Sequence, residues 1–273
     1  MKKYFLNLFV IIIVASVLQS CQQTNASSNK NGDEPEVVST EHLTMAVLYQ
    51  QRAAEYRALC LQAFNIAKLR VDENLRMMGL SRQQAVVVDI DETVLDNSPQ
   101  EAKCILNDAF YPAYWDEWMN KMDAKPVPGA LAFLKYVESK KIEVFYISNR
   151  KDKYREQTLK NLQNAGFPFA DNDHLLLRTD ESSKKARRDK VSEKYSIILL
   201  CGDNLADFSE AFEKLPIDER FNMVEKMSDQ FGNRFIVLPN AMYGDWEGAL
   251  YNYNYSLSPA EKYKLRHEQL IEF

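Results

Sequence analysis

The sequence predicts an α/β fold, a doubly wound parallel sheet of five strands. Short apolar runs alternate with longer segments of helical pattern, which is typical of a parallel sheet with helices on both faces. Two runs, residues 86–88 and 197–200, are continuously apolar, as strands buried on both faces are. Each run is soon followed by acidic residues, and such sheets bind ligands just beyond the carboxyl ends of their strands. We therefore expect a site at this edge.

A helical segment precedes the sheet. Residues 44–79 contain no proline, and their only glycine is Gly79. Alanine, leucine, glutamate, glutamine and arginine dominate, which favours one long helix or a pair of helices. Gly79 is suited to end this segment.

Strands and helices then alternate. The predicted strands are residues 85–90, 142–147, 174–177, 196–201 and 234–238. The predicted helices are residues 129–140, 152–165, 183–195, a largely helical stretch at 205–230, and 258–271. Residues 97–128 are loop-rich and carry five large aromatic side chains, Phe110, Tyr111, Tyr114, Trp115 and Trp118. We expect them to form an insertion over the site.

The first 20 residues predict a lipoprotein signal peptide. Lys2 and Lys3 form a charged start. Residues 6–18 are almost wholly apolar, which is about the length of a signal segment and short for a membrane span. The alternative is an ordinary signal peptide that is cleaved elsewhere.

The signal segment ends in a lipidation pattern. Residues 18–21, Leu-Gln-Ser-Cys, resemble a bacterial lipobox, which predicts a lipid on Cys21 and attachment to a membrane. Residues 21–40 are rich in Asn, Ser, Lys, Asp and Glu and predict a flexible tether. Residues 41–273 are enough for one domain with a sizeable core.

Composition excludes several classes of function. The net charge is −5, and no basic run is interleaved with aromatic residues, so we expect no nucleic-acid polymer as partner. Only three histidines occur, and no Cys/His spacing indicates zinc. Beyond Cys21 three cysteines remain, and an odd number in an exported chain leaves at least one free thiol. Cys201 lies in an apolar strand and is expected to be a small core residue.

Acidic residues follow two of the predicted strands. Asp89 and Asp91 end the first, and Asp203 and Asp207 follow the fourth. Acids brought together repel one another unless they share a cation or a proton. Mg²⁺ prefers oxygen ligands, so these four acids predict a magnesium site. We expect Asp89 and Asp203 to bind directly. Asp207 can bind directly or through water, and Asp91 through its backbone carbonyl.

The same region offers groups for metal-dependent phosphoryl transfer. Asp89 is the candidate nucleophile that becomes an aspartyl phosphate, and Asp91 is the candidate general acid and base. Donors to the phosphoryl oxygens are expected from Ser148, Asn149 and Lys184. Taken singly, each acid is more simply a cap or turn residue, Ser148 a turn residue, and Lys184 part of a solvated helix face.

Four motifs stand in the order found in the haloacid dehalogenase superfamily. They are Asp89-Ile90-Asp91-Glu92-Thr93, Ser148-Asn149-Arg150, Lys184, and Gly202-Asp203-Asn204-Leu205-Ala206-Asp207-Phe208. Residues 95–99 and 238–248 further resemble class C acid phosphatases, which are lipoproteins of the bacterial outer membrane. The likeness covers residues 44–265, nearly all of the predicted mature chain.

The resemblance implies a Mg²⁺-dependent acid phosphatase of the bacterial cell envelope that hydrolyses phosphomonoesters, often nucleoside 5′-monophosphates. It implies Asp89 as the nucleophile and Asp91 as the acid and base. It favours Lys184 over Lys185 as the lysine that contacts phosphate, because Arg187 then falls at the family's following arginine.

The resemblance also implies how a nucleoside would bind. The base would lie between two aromatic side chains, which match Trp118 and Tyr243. Gln100 stands where related enzymes often carry an aromatic residue, so the rim of the pocket is expected to differ. Two other functions stay open, an acid phosphatase without nucleotide preference and a surface lipoprotein that binds a ligand such as haem. A homodimer is also possible.

Overall fold

The computed structural model describes residues 40–77 and 83–273. The predicted signal peptide, Cys21, nearly all of the tether and Gly79 lie outside these residues. The strands are β1 (Gln84–Val88), β2 (Leu95–Asp96), β3 (Lys125–Pro126), β4 (Glu143–Lys151), β5 (Leu175–Arg178), β6 (Ser196–Gly202) and β7 (Phe235–Val237).

Five of these strands form one parallel sheet in the order β5-β4-β1-β6-β7. All five predicted strands are present, and the α/β fold is confirmed. The two remaining strands, β2 and β3, form a small antiparallel pair that the sequence did not reveal. Two residues each are too short to leave a hydrophobic alternation.

Helices surround the sheet. They are α1 (Thr44–Arg52), α2 (Ala54–Met77), α3 (Ser98–Leu106), α4 (Trp115–Lys121), α5 (Ala130–Ser139), α6 (Arg155–Asn164), α7 (Lys185–Lys194), α8 (Ile217–Lys226), α9 (Asp245–Leu250) and α10 (Pro259–Glu268). Within the described residues, no helix combines the length and the hydropathy that crossing a membrane requires. The N-terminal segment is a pair of helices, broken at Ala53, whose backbone is extended.

Two predictions of local structure were wrong. Residues 205–230 are not largely helical, because α8 is the only α-helix there and the rest is short 3₁₀ turns and loop. The side chains of Asn204 and Ser209 each accept a hydrogen bond from the backbone two residues later and start separate turns. The insertion is less loop-rich than expected, since it contains α3 and α4.

The central strand β1 is buried on both faces. Val86 and Val88 pack into a core cluster with α2 and α5, where Phe64 and Phe133 meet at 5.5 Å between ring centroids. Ala85 and Val87, which point the other way, pack into a second cluster with α7 and β7. This double burial explains the continuous apolar run in the sequence.

Cysteines contribute to the core as thiols. The cysteines at 60, 104 and 201 are all buried and free. The expectation for Cys201 is confirmed, because its side chain lies in the cluster around β1. The carboxyl ends of β1, β4 and β6 lie side by side in the sheet, so the motif residues that follow them converge on one edge.

Candidate active site

The ammonium group of Lys184 lies between two buried carboxylates. It contacts Asp89, the residue after β1, and its Nζ lies 2.6 Å from Asp207 Oδ1. Lys184 directly precedes α7 and is buried, whereas the exposed Lys185 pairs with Asp189 four residues away. The structure therefore brings Lys184 into the site and leaves Lys185 outside it.

Three of the four predicted acids come together. Asp89, Asp203 and Asp207 each present a carboxylate oxygen within 4.8 Å of the others, which is close enough to hold one metal ion. Asp203 is held from both sides, by the Thr93 hydroxyl at 3.3 Å and by the Asn240 amide at 2.8 Å. A set of carboxylate oxygens fits a hard divalent cation.

Burial shifts the pKa values of the residues in this cluster. It raises the pKa of Asp89 to about 7, against the lowering effect of Lys184. Burial, together with Asp207 and Asp89, raises the pKa of Asp203 well above its ordinary value. Burial alone would lower the pKa of Lys184, but the carboxylates of Asp207 and Asp89 outweigh it and raise that pKa. One ammonium does not neutralise three acids, so the site is suited to a further cation.

Asp91 is held apart from the other three acids. The Arg150 guanidinium donates two hydrogen bonds to its Oδ1, from Nε at 2.9 Å and from Nη2 at 2.7 Å. The hydroxyl of Ser148 donates to its Oδ2 at 3.3 Å, and the Asn97 amide donates to Oδ1 at 2.7 Å. The carboxylate of Asp91 is thus oriented by three donors, and this side chain is outside the group of acids that could share a metal.

Asn97 connects the insertion to the site. Its Oδ1 accepts hydrogen bonds from the Trp118 indole at 2.8 Å and from Arg150 at 3.3 Å. Its backbone N–H donates to Glu92 at 2.7 Å, while its amide holds Asp91. Asn97 is 1% exposed, so these bonds fix the insertion against the end of β1.

Two arginines of α7 hold the loops around the site. Arg187 donates to the backbone carbonyl of Ser148 at 2.6 Å and to the Asn149 side chain at 2.7 Å. Arg188 is buried and donates to the carbonyls of Ala206 and Asp207, both at 3.1 Å. One helix therefore positions both the loop of Ser148 and Asn149 and the loop that carries Asp207.

The other predicted binding residues lie around this centre. Asn149 is exposed at the end of β4 and is held by Arg187. Tyr243 is half-buried in the segment after β7, three residues beyond Asn240, which binds Asp203. Gln100 is 2% exposed and donates to a carbonyl inside the insertion, so this departure from the family affects how the insertion packs.

Sequence reasoning gave no role to several residues that organise the site. Arg150 had a signal, since it stands in the second motif, and Asn97 likewise stands in the segment resembling class C acid phosphatases. Gly202 likewise stands in the fourth motif, whereas Arg188 had only a place in the basic stretch at residues 184–188. Arg150 reaches Asp91 across 59 residues and Arg188 reaches Asp207 across 19, so these contacts follow from the fold alone.

The sequence is similar to those of known proteins. Residues 13–246 match the family described as HAD superfamily, subfamily IIIB (acid phosphatase). The chain is 25% identical over 175 residues to Acid phosphatase 1 of Solanum lycopersicum, which covers 61% of each chain. It is 30% identical over 128 residues to the stem 31 kDa glycoprotein of Glycine max, covering 44% of this chain and 50% of that one. The chain thus spans between half and two thirds of these curated relatives.

Two solved structures match a larger part of this chain. The class C acid phosphatase from Bacillus anthracis is 45% identical, with a TM-score of 0.84, and the match covers 87% of this chain and all of that one. A structure of that enzyme with tungstate bound gives 44% identity, the same TM-score and the same coverage. These similarities and the family match agree with the order of the motifs in the sequence and with the parallel α/β fold. The chain belongs to subfamily IIIB of the HAD superfamily, the acid phosphatases.

Proposed function

We propose that this protein is a metal-dependent acid phosphatase that hydrolyses phosphomonoesters through an aspartyl-phosphate intermediate. The observation that carries the proposal is the buried cluster of Asp89, Asp203 and Asp207 around the Lys184 ammonium. It joins a nucleophile, ligands for a cation and a fixed positive charge at the carboxyl edge of a parallel sheet.

We propose Mg²⁺ as the metal. Asp89, Asp203 and Asp207 would hold it, because their oxygens lie together and carboxylates are its usual protein ligands. When bound, the ion supplies positive charge that offsets the charge on the phosphoryl oxygens.

Asp89 would attack phosphorus, forming a bond between its carboxylate oxygen and phosphorus while the bond to the leaving oxygen breaks. Asp91, held by Arg150, would protonate the leaving oxygen and then take a proton from the water that hydrolyses the intermediate. Lys184, Ser148 and Asn149 would bind the phosphoryl oxygens. The related enzyme with bound tungstate supports an oxyanion site, since tungstate is a tetrahedral oxyanion like phosphate.

The first experiment is removal of the metal. EDTA should abolish hydrolysis of a phosphomonoester, and added Mg²⁺ should restore it. A control with Ca²⁺ separates Mg²⁺ from a general effect of divalent ions, because Mg²⁺ demands a tighter octahedral geometry. Hydrolysis at an undiminished rate in excess EDTA would exclude the metal mechanism.

We further propose nucleoside 5′-monophosphates as the substrate class. The support is that Trp118 is linked to Asp91 through Asn97, and that Tyr243 lies three residues after Asn240, which binds Asp203. Aromatic rings stack on any base. Trp118→Ala and Tyr243→Ala should each raise KM for nucleotides more than KM for a small alkyl phosphate. Equal increases would favour a phosphatase without nucleotide preference.

We also propose that a lipid on Cys21 holds the domain at the bacterial outer membrane. The support is the pattern at residues 18–21 and the tether-like composition that follows. Wild-type protein expressed in bacteria should incorporate labelled palmitate and fractionate with the outer membrane, and Cys21→Ala should do neither. Label retained in that variant would contradict the assignment.

A further inference from the structure

A cavity of about 390 Å³ lies at the carboxyl ends of β4 and β5, on the edge of the sheet that carries the candidate active site. Its lining residues are Lys151, Asp152, Lys153, Arg178, Thr179 and Asp180. Lys151 is on the same strand as Ser148, three residues further along, and three strand residues span roughly 10 Å. The cavity is therefore close enough to contact a small molecule whose phosphoryl group lies at Ser148.

Lys151 and Arg178 are register partners on the neighbouring strands β4 and β5. The register shifts between Ile147 and Lys151, so the strand bulges where it leaves the active site. Like charges on directly opposed residues destabilise a sheet. Among the described residues, neither of these two side chains forms an ion pair or a hydrogen bond. An anion between them would relieve the repulsion.

The acids of the cavity do not neutralise this pair. Asp152 is engaged by Arg155, with Nη2 and Oδ1 2.6 Å apart. Lys153 is engaged by Asp116 at 3.1 Å. The charges that remain are the two cations and the exposed Asp180, so the cavity is positive overall.

Arg178 also acts electrostatically on the mouth of the active site. Burial lowers the pKa of Arg187, the carboxylate of Asp89 opposes this shift, and the positive charge of Arg178 adds to it. Burial raises the pKa of Tyr111, and Arg178 opposes that rise. Arg187 holds Ser148 and Asn149, so the charge of Arg178 is felt at the residue that positions this loop.

We propose that Lys151 and Arg178 bind a second anionic group of the substrate, so that small molecules with two phosphoryl groups are preferred. One phosphoryl group lies at Asp89 and the other in the cavity. This inference rests on the proposed phosphatase activity, and it adds that nucleotides with a second phosphoryl group are better substrates than the corresponding 5′-monophosphates.

The test compares adenosine 3′,5′-bisphosphate with adenosine 5′-monophosphate. Wild-type enzyme should show a higher kcat/KM for the bisphosphate, and this preference should decline with added salt. Lys151→Gln with Arg178→Gln should reduce the ratio of the two kcat/KM values by roughly tenfold. Lys160→Gln, which removes an exposed lysine of α6 outside the cavity, is the matched control and should leave the ratio unchanged.

Calorimetric titration of both nucleotides into wild-type protein and the double variant separates the two proposals. If no phosphomonoester is hydrolysed, the phosphatase proposal fails, while tighter binding of the bisphosphate that is lost in the double variant still supports the anion site. If the monophosphate is hydrolysed and the double variant keeps the wild-type ratio, or wild type shows no preference, the anion site is wrong.

Discussion

Gly202 and Asp207 lie so close together that residue 202 has no room for a side chain. A Cβ at Gly202 would lie 2.4 Å from Asp207 Oδ2 and 2.5 Å from its Cβ. Glycine at the end of β6 therefore lets the carboxylate of Asp207 rest against the strand, where it meets Lys184. The backbone N–H of Asn204 donates to the same carboxylate at 3.0 Å.

Gly202→Ala should displace Asp207 and lower kcat. Overpacking of this kind costs about 1–3 kcal/mol of unfolding free energy, which urea denaturation measures. Asp207→Ala, alone and combined with Gly202→Ala, is the control. If the glycine acts through Asp207, the double variant is no less active than Asp207→Ala alone. Wild-type kcat in Gly202→Ala would show that the position of Asp207 is not critical.

Arg150→Lys should lower kcat while KM changes little. Lysine keeps the charge but cannot donate the two hydrogen bonds to Asp91 that the planar guanidinium makes. General acid and base catalysis contributes about 10²–10⁴ in rate, so a loss of roughly 10²-fold is expected if Asp91 is misplaced. The readout is the kcat–pH profile, in which the limb due to the acid should move. Arg155→Lys, which alters a half-exposed pair with Asp152, is the control.

Lys184→Gln should destabilise the protein in EDTA by about 3–5 kcal/mol, because it leaves two buried carboxylates without their cation. Lys185→Gln, which alters an exposed pair, should change the unfolding free energy by about 0.5 kcal/mol or less. Chemical denaturation of both variants measures the difference. Equal effects would contradict the placement of Lys184 in the site.

Glu101 should make stability depend on pH. Burial, with the nearby charge of Glu247, raises the pKa of Glu101 from 4.5 to about 7. The folded state then binds this proton more tightly than the unfolded state, so the contribution of Glu101 to the unfolding free energy is most favourable at acid pH. It falls by up to about 1.4 kcal/mol per pH unit as pH rises from the unfolded to the folded pKa.

Glu101→Gln removes this titration. The unfolding free energy of the variant should increase relative to that of wild type as pH rises. Above the folded pKa of Glu101 the variant should be the more stable protein. Urea denaturation at a pH below the unfolded pKa of Glu101 and at a pH above its folded pKa measures this difference. The exposed Glu156→Gln is the control. A pH dependence that is the same in Glu101→Gln and wild type would contradict the assignment.

The sheet was predictable because its strands are apolar on both faces and end at acids, as β1 and β6 show. The meeting of Asp89, Asp203 and Asp207 was predictable for the same reason, since strand ends of a parallel sheet meet at one edge. Lys184 precedes a helix, and only the family resemblance favoured it over Lys185. The small pair β2 and β3 and the breaks between residues 205 and 230 were not, because two-residue strands and side-chain caps leave no period.

The part of the site that was missed depends on contacts between distant segments. Arg150 reaches Asp91 across 59 residues, and Asn97 binds Trp118 across 21. Spacing along the chain does not encode such pairs, and which basic residues of α7 face the site depends on how the helix packs. Arg188 is buried and Lys190 exposed although they are two residues apart.

The most direct test of the account is hydrolysis of a phosphomonoester by Asp89→Asn. The substitution keeps the size of the side chain and removes the nucleophilic carboxylate that lies at Lys184. The variant should stay folded, as circular dichroism and thermal unfolding show, and lose kcat by at least about 10³-fold. A folded Asp89→Asn protein that turns over at close to the wild-type rate would contradict the assignment of Asp89 as the nucleophile.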